Sequence, residues 1–190
     1  MRLTSFCAAC LGVWHIALPT LAQDLAQDIT QHMDQIGAGS YVVLSAGPRD
    51  FVQVFRGASG PYWVVDVIDG RDPNGVRVSR EYRDVLGQMV QVENAAGTMF
   101  SFDPNNCQHT LGTCQFTQTG PDGVTPMVRQ TSATPDGYSY QTFLFNGDGS
   151  PALAETAAIT VDAKGSPLTG KITSQDGSVM RITQLQAVYR

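Results

Sequence analysis

The chain has 190 residues, of which 42% are apolar and only 15% charged, and its formal net charge is -5. That length accommodates one domain with a substantial core. With 12 cationic against 17 anionic residues and no basic run, the composition excludes a nucleic-acid-binding surface of the usual kind.

Residues 1–22, "MRLTSFCAACLGVWHIALPTLA", combine one early Arg, an apolar stretch and the small residues Thr20 and Ala22 around Leu21. This pattern predicts a cleaved signal peptide, cut after Ala22. The rival is an uncleaved anchor, since Leu3 to Ala22 is just long enough to span a bilayer. His15 and Pro19 interrupt that run, and no second apolar run approaches spanning length. The expected location is therefore periplasmic or secreted, with no stable membrane span after cleavage. Loss of Arg2 leaves 11 cations against 17 anions, a net -6. Cys7 and Cys10 leave with the signal, so Cys107 and Cys114 remain as one pair in an oxidising compartment.

Residues 23–39 read as an N-terminal amphipathic helix. Leu25, Ile29, Met33 and Ile36 fall on one stripe at spacings of four, four and three. Asp24 and Asp28 lie where the helix dipole favours negative charge, and Gly37 and Gly39 end the element. The helix is expected to pack over a sheet.

From Ser40 the pattern changes to period two and continues to the C-terminus, so residues 40–190 are predicted to form a single antiparallel β domain. Segments such as "SYVVLSA", "FVQVFRG", "PYWVVDVI", "TMFSFD", "YSYQTFLFN" and "SVMRITQLQAV" read as strands. Asp-Gly or Asn-Gly pairs separate them at Asp69, Asn74, Asp122, Asp136, Asn146, Asp148 and Asp176, and these pairs tolerate the positive φ of tight hairpins. Within "VRVSREYRDVL", Val76, Val78 and Tyr82 suit a strand, whereas Val78, Tyr82 and Val85 suit a helix. The preceding Asn74-Gly75 turn favours the strand. Short turns throughout point to a meander rather than βαβ units.

About ten strands are too many for a flat open sheet. The predicted fold class is mainly β, a meander closed into a barrel or half-barrel with the helix over an opening, and a β-sandwich is the alternative. A half-barrel with one helix is similar in outline to exported lipid carriers and lipocalin-like proteins, which is an analogy of architecture only.

Concentrated chemistry is scarce. The segment "DPNNCQHTLGTC" carries Cys107, His109 and Cys114. Its flanks look like hairpin arms, whose Cα partners lie roughly 4.5–5.5 Å apart and so within disulfide reach. Gly112 is placed to take a positive φ near the end of the loop. Zinc would need a fourth ligand and tighter cysteine spacing, and thiol exchange would want Cys-x2-Cys. A structural disulfide is the expectation, with His109 held outward. His32 is expected beside the packing stripe of the helix. The loops "DGRDPNG" and "NGDGS" resemble calcium loops, but Arg71 and Pro73 take ligand positions and no Glu completes a twelve-residue loop, so they read as turns. Arg71, Arg77, Arg80 and Arg83 are the densest cationic group. As a strand, this segment would put Arg77 and Arg83 on one face with Glu81 between them, and a charged strand that resists edge association explains them better than an anion site.

Aromatic residues are mostly core, though Phe55, Trp63, Phe143 and Phe145 could line an apolar cavity. No metal or other cofactor is called for, and no Gly-x-Ser-x-Gly elbow marks a hydrolase. The sequence is therefore read as an exported, non-enzymatic β domain of the bacterial cell envelope that binds an apolar small molecule, a lipid or a protein partner. The alternative is a purely structural or interaction module without a ligand cavity, and a small hydrolase is a third, weaker reading.

Overall fold

A computed structural model describes residues 30–190. Twelve strands follow one another as an up-and-down meander: β1 (Tyr41–Ala46), β2 (Arg49–Ser59), β3 (Tyr62–Asp69), β4 (Arg77–Arg83), β5 (Met89–Asn94), β6 (Met99–Asp103), β7 (Gly112–Gly120), β8 (Gly123–Thr134), β9 (Gly137–Phe145), β10 (Pro151–Val161), β11 (Pro167–Ser174) and β12 (Val179–Val188). Every neighbouring pair is antiparallel, and β1 pairs with β12 from Tyr41↔Val188 to Ala46↔Ile182, so the sheet closes into a barrel. Closure removes the edges that an open sheet would present to other chains. It settles the choice among barrel, half-barrel and sandwich in favour of the closed form. The segment with two readings, around Arg77–Arg83, is a strand.

Alternation along each strand separates the two faces of the wall. Following the register around the ring, one side carries Val42 and Leu44 of β1, Phe55, Trp63 and Val65 of β2 and β3, and Phe116 of β7. It continues through Arg129, Tyr140, Ala157, Ile159, Ile172 and Ile182. This is the inward face, and Val42, Phe55, Val65, Phe116, Tyr138, Tyr140 and Ile159 on it are all buried. The outward face of β7 to β12 is mixed: Thr113, Gln115, Gln130, Ser132, Gln141, Thr156, Lys171, Arg181 and Thr183 stand beside Val128, Phe143, Phe145 and Leu153. Among the described residues no helix is long and apolar enough to cross a membrane. On β1 to β3, Val43, Val52, Val54 and Ile68 form a second buried cluster on the outward side, and Gly75 of the β3–β4 loop lies against Ile68.

The predicted helix needs correction. Residues 23–29 lie outside the described residues, and over 30–39 the chain forms only one 3-10 turn, Met33–Gln35. The reason is tertiary: this segment enters the end of the barrel and bonds to the wall. The Met33 N–H donates to Val85 O at 3.0 Å, and Gln31 Nε2 donates to Ser166 Oγ at 3.0 Å. Arg83 Nη1 donates to Gln31 Oε1. Met33 and Ile36, predicted to lie on one stripe, do share one apolar cluster with Val42, Leu44, Phe55 and Val65. His32 bounds the turn and is partly exposed beside that cluster.

Two tight turns close on Gln31 through glycines. Gly87 (φ +75°) and Gly165 (φ +76°) would each place an added Cβ 2.7 Å from Gln31 atoms. The left-handed backbone and the close approach both disfavour a side chain there. Gly87→Ala and Gly165→Ala are each expected to lower unfolding stability by about 2–3 kcal/mol. Gly47→Ala, where an added Cβ meets nothing within 4 Å, should cost only about 1 kcal/mol of backbone strain. Urea denaturation of the three variants checks the ranking, and equal losses would mean that the plug does not press on the two turns.

Candidate functional site

Polar chemistry gathers inside the barrel near the end that also receives the 30–36 segment. Arg129 of β8 points inward and is 8% exposed. A buried guanidinium is tolerable only with its donors satisfied, and here the wall supplies the partners. Nε donates to Thr142 Oγ1 at 2.9 Å, and Nη1 donates to Asn106 O at 2.7 Å. Nη2 lies 4.0 Å from Glu155 Oε1. The cation also sits over the Tyr140 ring, 4.3 Å from its centroid, and 5.6 Å from that of Phe116, a desolvated cation–π geometry. Tyr140 Oη donates to Glu155 Oε1 at 2.7 Å. Burial, with Glu155 beside it, drives the Tyr140 phenol well above its ordinary pKa, so it remains a neutral donor.

The β6–β7 loop closes over this cluster. Cys107 and Cys114 are disulfide-bonded with Cα atoms 5.9 Å apart, and Cys107 is fully buried. The bond does not join opposed hairpin residues as expected. The β6–β7 ladder ends at Asp103↔Thr117, Cys107 stands in the loop at φ +57°, and Cys114 faces Arg129 across β7–β8. The disulfide thus ties the loop to the inward side of the wall. Gly112 has the positive φ anticipated for it, +84°.

His109 also departs from expectation. It is half-buried, with its ring edge-on to Tyr138 at 5.5 Å between centroids. Its Nδ1 lies 3.2 Å from Leu86 O; since a carbonyl only accepts, the Nδ1-H tautomer is the bonded one. The loop's amides are anchored to β5 and its neighbours: Asn106 N–H donates to Met89 O at 2.8 Å, Gln108 Nε2 to Tyr138 Oη at 2.7 Å, and Gln88 Nε2 to Thr110 Oγ1 at 2.9 Å. Burial pushes the His109 imidazole down to about 4; the Leu86 carbonyl opposes this, and the nearby cations Arg83 and Arg129 add to it. The Tyr138 phenol is raised by burial, partly offset by Gln108.

The group fails the tests for a catalytic constellation. His109 is turned to a backbone carbonyl rather than to a nucleophile. Among the described residues no group of His, Cys, Asp and Glu is placed to hold a metal ion. Chemically, the cluster is a hydrogen-bonded core around Arg129, beside which the inward Thr131 Oγ1 is buried without a hydrogen-bond partner among the described residues.

The proposed lining residues separate into two sets. Phe55 is buried in the inner cluster, with Trp63 packed against it. Phe143 and Phe145 alternate with the inward residues Tyr140 and Thr142, and so face outward. In register, Phe143 lies between Val128 and Leu153, and Phe145 beside Pro151. Phe145 and Leu153 are 38% and 42% exposed, and a cleft of about 270 Å3 runs past Pro126, Val128 and Phe145. These four aromatics therefore line no common cavity. Sequence periodicity did not reveal the Phe143–Leu153–Val128 patch, because it requires three strands in register.

The arginine group is neutralised pair by pair. Arg71 Nε bonds Asp50 at 2.5 Å, Arg80 Nε bonds Asp66 at 2.7 Å, Arg83 bonds Glu81, and Arg77 lies 3.8 Å from Glu93. Register shifts beside Val67/Ile68 and Tyr82/Arg83 interrupt the alternation, so Arg77 turns towards Glu93 while Arg83 turns inward with Glu81. The two calcium-like loops are side-chain-capped turns: Asp72 Oδ1 accepts from Asn74 N–H at 2.9 Å, and Asp148 Oδ1 accepts from Ser150 N–H at 2.9 Å.

Two measurements probe the loop. Cys107→Ser/Cys114→Ser should cost about 2.5 kcal/mol, the chain-entropy value for so short a loop, and should raise amide exchange across residues 104–111. A loss confined to global stability, with no local exchange, would contradict the anchoring role. Because His109 is held below its unfolded pKa of about 6.5, the unfolded chain binds the extra proton first. Its neutral contribution is complete above roughly pH 6.5 and is lost as pH falls towards 4, at most about 3.4 kcal/mol in all. His109→Gln should flatten the stability profile between pH 6.5 and 4, measured by denaturant titration at each pH, and an unchanged slope would refute the assignment.

No protein-family model matches the chain, and no curated protein or solved structure shows significant similarity to it.

Proposed function

We propose that the chain is an exported, non-enzymatic β-barrel module of the bacterial cell envelope that works as a docking domain for a protein partner through its outer wall. The observation that carries this reading is the contrast between the two faces. Along the barrel axis the space is taken by Phe55, Met33, Arg129, Tyr138 and Tyr140, while Val128, Phe143, Phe145 and Leu153 form an apolar patch on the outside. Such a patch, bordered by Gln115, Thr117 and Gln141, has the make-up of a protein contact. The disulfide supports an oxidising compartment, and the leader-like residues 1–22 support export. Binding of an apolar small molecule inside the barrel is the second reading, favoured by Phe55 and Trp63 on the inward face; there they pack against Met33 and Ile36.

Phe145→Ser/Leu153→Gln removes two exposed apolar groups and should leave stability within about 0.5 kcal/mol. Native mass spectrometry of protein purified from its host's periplasm is expected to show a protein-sized stoichiometric addition that the double variant loses. A photo-reactive residue at position 145 should cross-link to that partner, and one at position 173 should not. A clean apo mass, or a lipid-sized adduct retained by the variant, would overturn the docking reading; the latter would restore the small-molecule one.

A further inference from the structure

Two cations without carboxylate partners point to a second surface, on β10 to β12 beyond the apolar patch. Lys171 of β11 and Arg181 of β12 are directly opposed across the ladder, and both are exposed on the outward face. Like charges opposed in this way destabilise a sheet. In a chain with more acids than bases, a nearby carboxylate would be the simplest remedy. Among the described residues neither cation has one within ion-pair distance. The outward arginines Arg56, Arg71, Arg77 and Arg80 are paired, Arg56 and Arg80 sharing Asp66; Arg49, Lys164 and Arg190 also lack a carboxylate among the described residues, but no like charge stands directly opposite them.

The surroundings of the pair form a groove. Two clefts, about 390 and 470 Å3, share Lys171, Arg181 and Thr183 among their lining residues, and no Asp or Glu lines either of them. The small residue Ala158 continues the cationic row on β10, opposite Lys171, so no large side chain blocks that side. Two residues along the strands, a row of hydroxyls runs parallel to the cations: Thr160 opposite Thr169, Thr169 opposite Thr183, and Thr183 opposite Ser45. At about 4.8 Å between strands the hydroxyl row spans roughly 14 Å, and two residues of strand rise set it roughly 7 Å from the cations. Within this row the Thr160 and Thr169 hydroxyls bond each other at 2.8 Å and Ser45 bonds Asp50, which is also held by Arg71 at 2.5 Å; each hydroxyl oxygen has two lone pairs, so it can still accept from a ligand hydroxyl.

We propose that the outer wall of β10 to β12 is a binding groove for an acidic saccharide. Its carboxylate or phosphate groups sit between Lys171 and Arg181, and its hydroxyls bond to Thr160, Thr169, Thr183 and Ser45. The negative charge relieves the repulsion between the opposed cations. The extended hydroxyl row gives a multi-hydroxyl ligand more contact than a lone small anion. This groove is separate from the apolar patch at Phe143 and Phe145 and does not depend on it.

The full mature protein is titrated with trigalacturonate, glucose 1-phosphate and neutral maltotriose, and followed by 15N–1H NMR. Trigalacturonate is expected to shift amides of Thr160, Thr169, Lys171, Arg181 and Thr183, and maltotriose to shift none of them. Glucose 1-phosphate distinguishes the charged groups: shifts at the same amides mean that phosphate substitutes for carboxylate, and their absence restricts the groove to uronic acids. Arg181→Gln should weaken trigalacturonate binding at least fivefold. Without ligand, that variant should melt at or above the wild-type temperature, because it removes a repulsion, and a folding defect is thereby separated from a binding loss. Trigalacturonate shifts spread equally over Arg49, Lys164 and Arg190, unchanged affinity in Arg181→Gln, or equal binding of maltotriose would each overturn the proposal.

Discussion

A closed ring of twelve strands must fill its own interior, and most of the structure follows from that demand. Barrels of about eight strands are just wide enough to be filled by wall side chains, whereas those of about sixteen enclose water. Twelve strands lie between. Here the gap is met with large inward side chains, among them Phe55, Trp63, Phe116, Arg129, Tyr138 and Tyr140, and with two pieces of backbone. The segment around Met33 enters beside β1 to β3, and the loop from Asn106 to Thr110 folds over β7 to β9. Each brings polar main chain into a closed space, so each must arrive with its hydrogen bonds arranged. Asn106, Gln88, Gln31 and Ser166 serve that purpose.

The same demand explains the unusual polarity of the core. Arg129 is large and long enough to reach the axis, but its charge requires partners, and it has Thr142, the Asn106 carbonyl, Glu155 and two aromatic faces. His109 and Tyr138 complete the other side of the loop as neutral groups. A network satisfied to this degree holds one packing arrangement. The disulfide belongs to this system: it holds the loop that supplies the carbonyl for Arg129.

Charge on the outer wall shows how far sequence proximity and spatial proximity diverge. Arg71, Arg77, Arg80 and Arg83 are crowded in the sequence, yet each finds a carboxylate on a neighbouring strand or beside it. Asp66 illustrates the effect: burial alone would raise its pKa, but Arg80 and Arg56 hold it below the ordinary carboxylate value. Lys171 and Arg181 stand ten positions apart and attract no notice in the sequence, because a hairpin turn lies between them. Register alone makes them neighbours.

What the sequence determined is local. Alternation and Asp-Gly or Asn-Gly punctuation specify strands and tight turns within a few residues, because the side-chain period of two and the positive-φ requirement act over short distances. The left-handed Gly112 was legible for the same reason, whereas the Cys107–Cys114 bond was legible as a pair but not in its position off the ladder. What only the tertiary structure decided is everything that depends on which face is inside. Closure of β1 on β12 sends Phe55 inward and Phe143 outward, although both sit in similar alternating runs. It also denies residues 30–36 the helix that their apolar stripe suits, since the barrel end offers Val85 O and Ser166 Oγ as stronger partners than the next helical turn. It draws His109 half into the interior rather than holding it out, because the loop must help to fill the ring. Local periodicity sets the strands, and the volume enclosed by twelve of them sets the site.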